Sequence, residues 1–156
     1  MTTPDFFSKR WAESVRDALA AGPPAPARAG KLPEYWDFFD RVRATYQASW
    51  ALGCRDLPMK LGGGPAYLLV RWDGGTVTGG QIIGPDEPLG ASYVLGMDYR
   101  DWKALSEGYD PQRTVMYRKI VLVDGDLLEF FKGIYFFVEC LAVIGAVPAD
   151  YPALAG

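Results

Sequence analysis

The sequence predicts an α+β domain with an antiparallel or mixed sheet of about five strands and helices collected on one face. Two β-type runs, residues 67–72 and 76–83, flank a glycine-rich link and indicate a β-hairpin. A long apolar segment, residues 127–147, is predicted to be a helix that covers the sheet. With 156 residues, of which 49% are apolar, the chain has the size of one domain with a sizeable core.

The N-terminal third predicts two amphipathic helices joined by a linker. In residues 4–21 apolar side chains recur every four positions and charged side chains occupy the other face. Residues 22–30, GPPAPARAG, cannot continue this helix, so residues 1–30 are predicted to be an appendage to a domain of residues 31–156. Residues 33–50 form the second helix, which begins with a proline, and residues 54–61 form a short strand.

The C-terminal half continues with a strand, two short helices, a strand and a long helix. Residues 91–97 form the strand, and Asp98 can cap the helix that follows it. Pro111 begins the second short helix. Residues 119–123 are β-type and lead through Asp-Gly-Asp into residues 127–147.

Charge and composition exclude several functions. The net charge is −3 and the isoelectric point is near 4.9, so there is no basic excess to neutralise nucleic-acid phosphates. No histidine is present, which excludes Ser-His-Asp and Cys-His nucleophile systems and the common zinc sites. We therefore expect no nucleic-acid partner, no metal and no cofactor.

Cysteines and charges in apolar segments predict a cytoplasmic protein without stable membrane insertion. Cys54 and Cys140 lie on segments expected to be buried, which is typical of core residues in a reducing compartment. The N-terminus lacks the apolar core of a signal peptide. Residues 127–147 contain Glu129, Lys132 and Glu139, and each mid-membrane charge costs roughly 2.5–3.5 kcal/mol.

The order of these elements, together with the residues at their turns and helix ends, resembles that of a known family. The residues that match the family pattern are Asp73-Gly74, Asp98, Trp102, Leu105, Gly108, Pro111 and Gly125-Asp126. With this pattern, residues 55–147 resemble the sterol carrier protein 2 (SCP2) lipid-binding domain family. Family members usually have a Gly-Lys pair entering the last strand, where this chain has Arg118 and Lys119.

The resemblance implies an apolar cavity between sheet and helices, closed by the C-terminal helix. Such a cavity would bind or carry a lipid-like molecule such as a sterol or a fatty acyl chain. The residues expected to line it are Leu95, Met97, Trp102, Met116, Phe131, Ile134, Tyr135 and Val138. Gln81, Tyr135 and Glu139 are the candidate polar contacts, and no residue is assigned a catalytic role.

Two other functions stay open from the sequence. The first is an enzyme or biosynthetic accessory protein that acts on an apolar substrate in the same cavity, with Glu139, Asp98 or Tyr135 as acid or base. Glu139 would need a partner such as Arg71 or Lys132 if it were buried, and otherwise would face solvent. The second is a homodimeric interaction module in which the N-terminal helix covers a partner.

Overall fold

The computed structural model describes residues 3–85 and 90–152, and it has the predicted α+β architecture. The helices of this described part are α1 Lys9–Ala21, α2 Ala25–Ala29, α3 Pro33–Ala44, α4 Tyr99–Ser106, α5 Pro111–Met116, α6 Leu127–Lys132 and α7 Ile134–Ala146. The strands are β1 Ala48–Cys54, β2 Ala66–Asp73, β3 Thr76–Ile83, β4 Tyr93–Met97 and β5 Val121–Asp124.

The five strands form one mixed sheet in the order β3-β2-β1-β4-β5. The β1–β2, β2–β3 and β4–β5 pairs are antiparallel, and β1 and β4 run parallel at the centre. Only Gly74 and Gly75, both with positive φ, connect β2 to β3, as expected for a tight hairpin. The prediction of a mainly antiparallel sheet of about five strands is confirmed.

Alternation along the strands directs one face of the sheet toward the helices. On β1, Trp50, Leu52 and Cys54 are fully buried and share a core with side chains of α1, α3, α4, α6 and α7. On the other face, Gly53 faces Tyr67 of β2, and a Cβ at Gly53 would lie 2.8 Å from the tyrosine ring. The core therefore lies between the sheet and its helical layer.

The central strand is displaced from its predicted position. Helix α3 ends at Ala44 rather than at residue 50, and β1 precedes the predicted strand of residues 54–61. Most of that predicted strand is loop, with a 3-10 turn at Met59–Leu61. The helical spacing of Tyr46 and Trp50 suggested a longer helix, but pairing with β2 on one side and β4 on the other holds this segment extended.

The long apolar helix is divided in two. Gly133 separates α6 from α7, and its N–H donates to the carbonyl oxygen of Phe130. A Cβ at Gly133 would lie 3.3 Å from the ring of Tyr46, so glycine permits this close approach. The prediction of one continuous helix was wrong at this point. Within residues 3–85 and 90–152, no helix is long and apolar enough to cross a bilayer.

The apolar stripe of the N-terminal helix packs on the chain's own core. Trp11, Val15 and Leu19 are buried, and α1 contacts β3 and α7. At Gly80 of β3 the helix lies so close that an added Cβ would be 2.7 Å from the Arg16 Cβ and 3.0 Å from the Ala12 carbonyl oxygen. The division of the chain at residue 30 stays a prediction, but these side chains belong to the common core.

Candidate functional site

A cleft of about 680 Å³ lies between the β4–β5 side of the sheet and helices α5, α6 and α7. Its lining is mostly aliphatic and aromatic. The lining residues are Leu95, Gln112, Val115, Met116, Arg118, Ile120, Val121, Leu122, Leu127, Phe130, Phe131, Ile134, Tyr135, Phe137 and Val138. This volume falls within the range of small-molecule sites, about 300–1,000 Å³.

The cleft has a buried floor and an exposed mouth. Leu95 and Phe137 are each 1% exposed and lie at the floor, in contact with the core. Met116 and Leu127 lie at the mouth and are 65% and 54% exposed. Large apolar side chains that stay in water around a concave surface are typical of a binding site.

Two capped helices frame the mouth. The Asp110 carboxylate accepts from the N–H of Gln112 at 2.9 Å and thereby caps α5. The Asp126 carboxylate accepts from the N–H of Glu129 at 3.1 Å and caps α6. These local hydrogen bonds satisfy donors at the start of each helix and fix where the two helices begin.

A tight turn after α5 brings a charged residue to the cleft. Arg118 has φ 56 and follows the C-terminal cap Tyr117. The N–H of Arg118 donates to the Val115 carbonyl oxygen at 3.1 Å, and the N–H of Lys119 donates to Thr114 at 3.0 Å. Glycine is the usual residue at this left-handed position, since a Cβ there is strained. Arg118 is one of the two non-glycine residues of the described chain with positive φ.

Six of the eight residues expected to bind ligand line this cleft together. They are Leu95, Met116, Phe131, Ile134, Tyr135 and Val138. Five of them come from α5, α6 and α7, whereas Leu95 comes from the sheet. The structure brings these side chains to one site, and their contact with a ligand remains a prediction.

Met97 and Trp102 lie elsewhere, in the core. Met97 shares a sheet face with Leu95 but is fully buried two residues further along β4. The Trp102 indole N–H donates to the Gly53 carbonyl oxygen at 3.0 Å, and its ring lies 5.6 Å from that of Phe6. Neither residue lines the cleft, because both are enclosed by packing around α4 and the N-terminal segment.

The candidate polar contacts also lie outside the cleft, except for Tyr135. Gln81 is exposed on β3, at the far edge of the sheet. Glu139 is only 7% exposed, and its carboxylate pairs with Lys31 at 2.6 Å rather than with Arg71 or Lys132. Lys132 is paired with Glu129 on the surface of α6.

The Lys31–Glu139 pair joins the N-terminal linker region to α7. The Lys31 ammonium also lies 4.4 Å from the centre of the Tyr35 ring. Burial by itself would lower the pKa of Lys31, but the hydrogen bond and the negative charge of Glu139 outweigh it and raise the pKa above its usual 10.5. Because the pKa of Lys31 is raised on folding, its protonation adds to the free energy of unfolding. This stabilisation is fully present as pH falls below 10.5 and is lost as pH rises through the higher pKa of the folded state.

Replacing Lys31 with methionine is expected to lower the free energy of unfolding by about 1–3 kcal/mol at pH 7, since the Glu139 carboxylate would stay buried without its cation. Urea unfolding of Lys31→Met, Glu139→Gln and the double variant would measure the coupling. The double variant should recover most of the loss. Lys60→Met, which removes an exposed lysine, is the control, and a Lys31→Met effect no larger than this control would contradict the prediction.

Of the other two candidate acid–base residues, Asp98 is committed to a structural contact and Tyr135 lines the cleft. Asp98 pairs with Arg55 at 3.0 Å. Next to Asp98, the Tyr99 hydroxyl donates to the Pro152 carbonyl oxygen, and burial raises the pKa of Tyr99. Among the residues that the structure describes, no group of three His, Cys, Asp or Glu side chains could hold a metal ion.

Sequence reasoning missed Gln112 and Val115 of α5 and the lining residues at β5. Val115 precedes the predicted Met116 on α5, whereas Ile120 lies directly before β5 and Leu122 lies on this edge strand. The period-two spacing of Ile120 and Leu122 was a usable signal for these two residues. Arg118 had no such signal, because its position at the mouth depends on the turn that ends α5.

Solved structures with a similar fold were found, whereas no family model and no curated protein matches the sequence. The crystal structure of sterol carrier protein 2 superposes with a TM-score of 0.70 and 17% sequence identity, over 92% of this chain and 99% of that chain. A conserved hypothetical protein of Thermus thermophilus, named as a candidate sterol carrier protein, has a TM-score of 0.67 and 17% identity over 97% and 96%. The predicted SCP2-like fold is thereby confirmed.

Proposed function

We propose that this chain, whose fold is SCP2-like, binds and carries a lipid-like apolar small molecule in the cleft beside α5, α6 and α7. The observation that carries the proposal is the cleft itself, about 680 Å³ in volume with a buried apolar floor. One solved structure with a similar fold is that of sterol carrier protein 2, whose name agrees with this proposal.

The affinity of such a site comes from removing ligand carbon from water. Each buried methylene group contributes about 0.8 kcal/mol before the costs of association. A mostly apolar lining has few groups that could reject a ligand by its polar chemistry, so the site selects mainly by shape and length. Met116, with its flexible thioether chain at the mouth, can adapt to different ligand outlines.

Native mass spectrometry of the purified protein, followed by organic extraction, is the direct test. A stoichiometric apolar adduct is expected, and the extract would identify its class as sterol, fatty acyl chain or another lipid. A protein free of adducts that also fails to bind added fatty acids and sterols would overturn the proposal. Chemical conversion of one apolar compound, with little binding of other lipids, would favour the enzyme alternative instead.

Affinity for n-alkanols is expected to increase with chain length. From octanol to tetradecanol, each added methylene should lower Kd by up to about fourfold, since about 0.8 kcal/mol per methylene is about six tenths of the 1.4 kcal/mol that changes Kd tenfold. The gain should stop where the chain fills the cleft. Displacement of a fluorescent lipid probe measures the series, and an affinity that is independent of chain length would contradict binding in this cleft.

The homodimer alternative can be separated by light scattering. The stripe on α1 that was expected to cover a partner packs on the chain's own core. Several exposed apolar residues lie on or near α6, where Leu128 is 76% exposed. A stable dimer that dissociates when lipid is added would place a second copy at the cleft mouth, whereas a monomer with bound lipid supports the carrier.

A further inference from the structure

The polar lining of the cleft consists of hydrogen-bond donors at its mouth. Gln112, Arg118 and Tyr135 are the polar residues among the described lining side chains, and all three are exposed. Arg118 supplies a permanent positive charge with several N–H donors. No Asp or Glu stands among the lining residues that the structure describes. The cleft therefore combines an apolar floor with a cationic mouth.

Arg118 differs from neighbouring cations in having no acidic partner within ion-pair distance in residues 3–85 and 90–152. Lys119 pairs with Asp101 at 3.7 Å, and Lys132 pairs with Glu129 at 2.8 Å. Arg113, one turn earlier on the chain, lies 4.0 Å from Asp110. The guanidinium of Arg118 thus retains its capacity to bind an anion.

The backbone at Arg118 adds an independent observation. The residue occupies a left-handed conformation with φ 56, where glycine would be unstrained. Strained backbone positions persist when surrounding structure holds them, and they concentrate at functional sites. Here the strained residue is also the cation that lines the cleft mouth.

We infer that Arg118 makes the cleft select amphiphiles with an anionic head group over neutral ones, with the head group at the mouth and the hydrocarbon chain on the floor. This inference rests on the proposed function. Carboxylates and phosphates both match the planar donor fork of arginine, so the shared chemistry is an oxyanion on a hydrocarbon chain. Sterols and long-chain alcohols lack that charge and bind through the apolar lining alone.

Binding of dodecanoate, dodecyl phosphate and dodecanol to the full chain tests the inference, and the two anions show whether carboxylate or phosphate is preferred. We expect the better anion to bind about tenfold more tightly than dodecanol at low salt, as a charge-assisted hydrogen bond to an exposed arginine allows. This difference should shrink as salt is added. Equal affinity of all three ligands would overturn the inference and leave the proposed function intact, whereas failure of all three to bind would overturn both.

Arg118→Gly is a sharp variant, because it removes the cation and also relieves the backbone strain. It should fold with an unchanged or higher Tm, and its affinity for the preferred anion should fall about tenfold, to the affinity that the same variant has for dodecanol. Arg118→Lys should retain part of that preference. Arg113→Gln, which removes a nearby exposed cation that does not line the cleft, is the matched control and should retain all of it. An anion preference that survives in Arg118→Gly, or that disappears in Arg113→Gln, would overturn the role of Arg118.

Discussion

Replacing Val115 with tryptophan is expected to abolish lipid binding while the protein stays folded. Val115 lies on α5, lines the cleft and is only partly buried, so a larger side chain can occupy the cleft without displacing the core. An indole that excludes about four methylenes of ligand would remove roughly 3 kcal/mol of burial, which is more than a hundredfold in Kd. Probe displacement with dodecanol measures the loss, and a thermal melt verifies folding.

The matched control for this variant is Leu128→Trp on α6. Leu128 is 76% exposed and does not line the cleft, so the same new side chain should leave binding within about twofold. A ligand that binds Val115→Trp as tightly as the unmodified chain would show that it lies somewhere other than this cleft. Loss of binding in both variants would indicate a general effect of added surface tryptophan.

Replacing Trp11 with alanine is expected to destabilise the whole domain by about 3–5 kcal/mol, which lowers Tm by about 10 °C for a chain of this size. Trp11 is fully buried, and its ring lies 4.9 Å from that of Phe6 and 6.5 Å from that of Trp102. Truncation would leave a cavity where the Trp11 ring now packs against Phe6 and Trp102. Chemical unfolding followed by circular dichroism measures the effect, and a single cooperative transition is expected.

Two further variants sharpen this test. The Trp11 indole N–H is buried without a hydrogen-bond partner in the described structure, so Trp11→Phe removes an unpaired donor and should cost no more than about 1 kcal/mol. Lys9→Ala, an exposed change on the same helix, should stay within about 0.5 kcal/mol. If residues 1–30 were an appendage without energetic coupling to the domain, Trp11→Ala would leave the main unfolding transition unchanged.

Local signals predicted the elements that depend on local interactions. The β2–β3 hairpin lies where its two-glycine turn indicates, and α5 begins at Pro111. β1 was displaced in the prediction because Ala48–Cys54 contains no β-branched residue. What makes this segment a strand is pairing with β2 and β4, and the β4 residues lie 43 positions later in the sequence, as in Trp50 and Tyr93.

The sequence predicted the apolar character of the candidate site but not the boundary between the cleft and the core. The apolar character of residues 127–147 indicated that this segment faces either a core or a ligand, and six expected residues do line the cleft. Alternation could place Met97 on the same face as Leu95, but it could not show where the core ends and the cleft begins. The position of Arg118 at the cleft mouth and the pairing of Glu139 with Lys31 depend on tertiary neighbours, which sequence periodicity does not reveal.

The parallel pairing of β1 with β4 has a consequence for biosynthesis. A chain that leaves the ribosome can pair β1, β2 and β3 early, because each adjoins the next in sequence. The second edge of β1 stays open until Tyr93–Met97 has been synthesised. During this interval Ala51 and Leu52 lie on a strand with unpaired backbone groups, which is a template for intermolecular pairing. Fragments that end before β4 should therefore aggregate, because β4 is the strand that covers the open edge of β1.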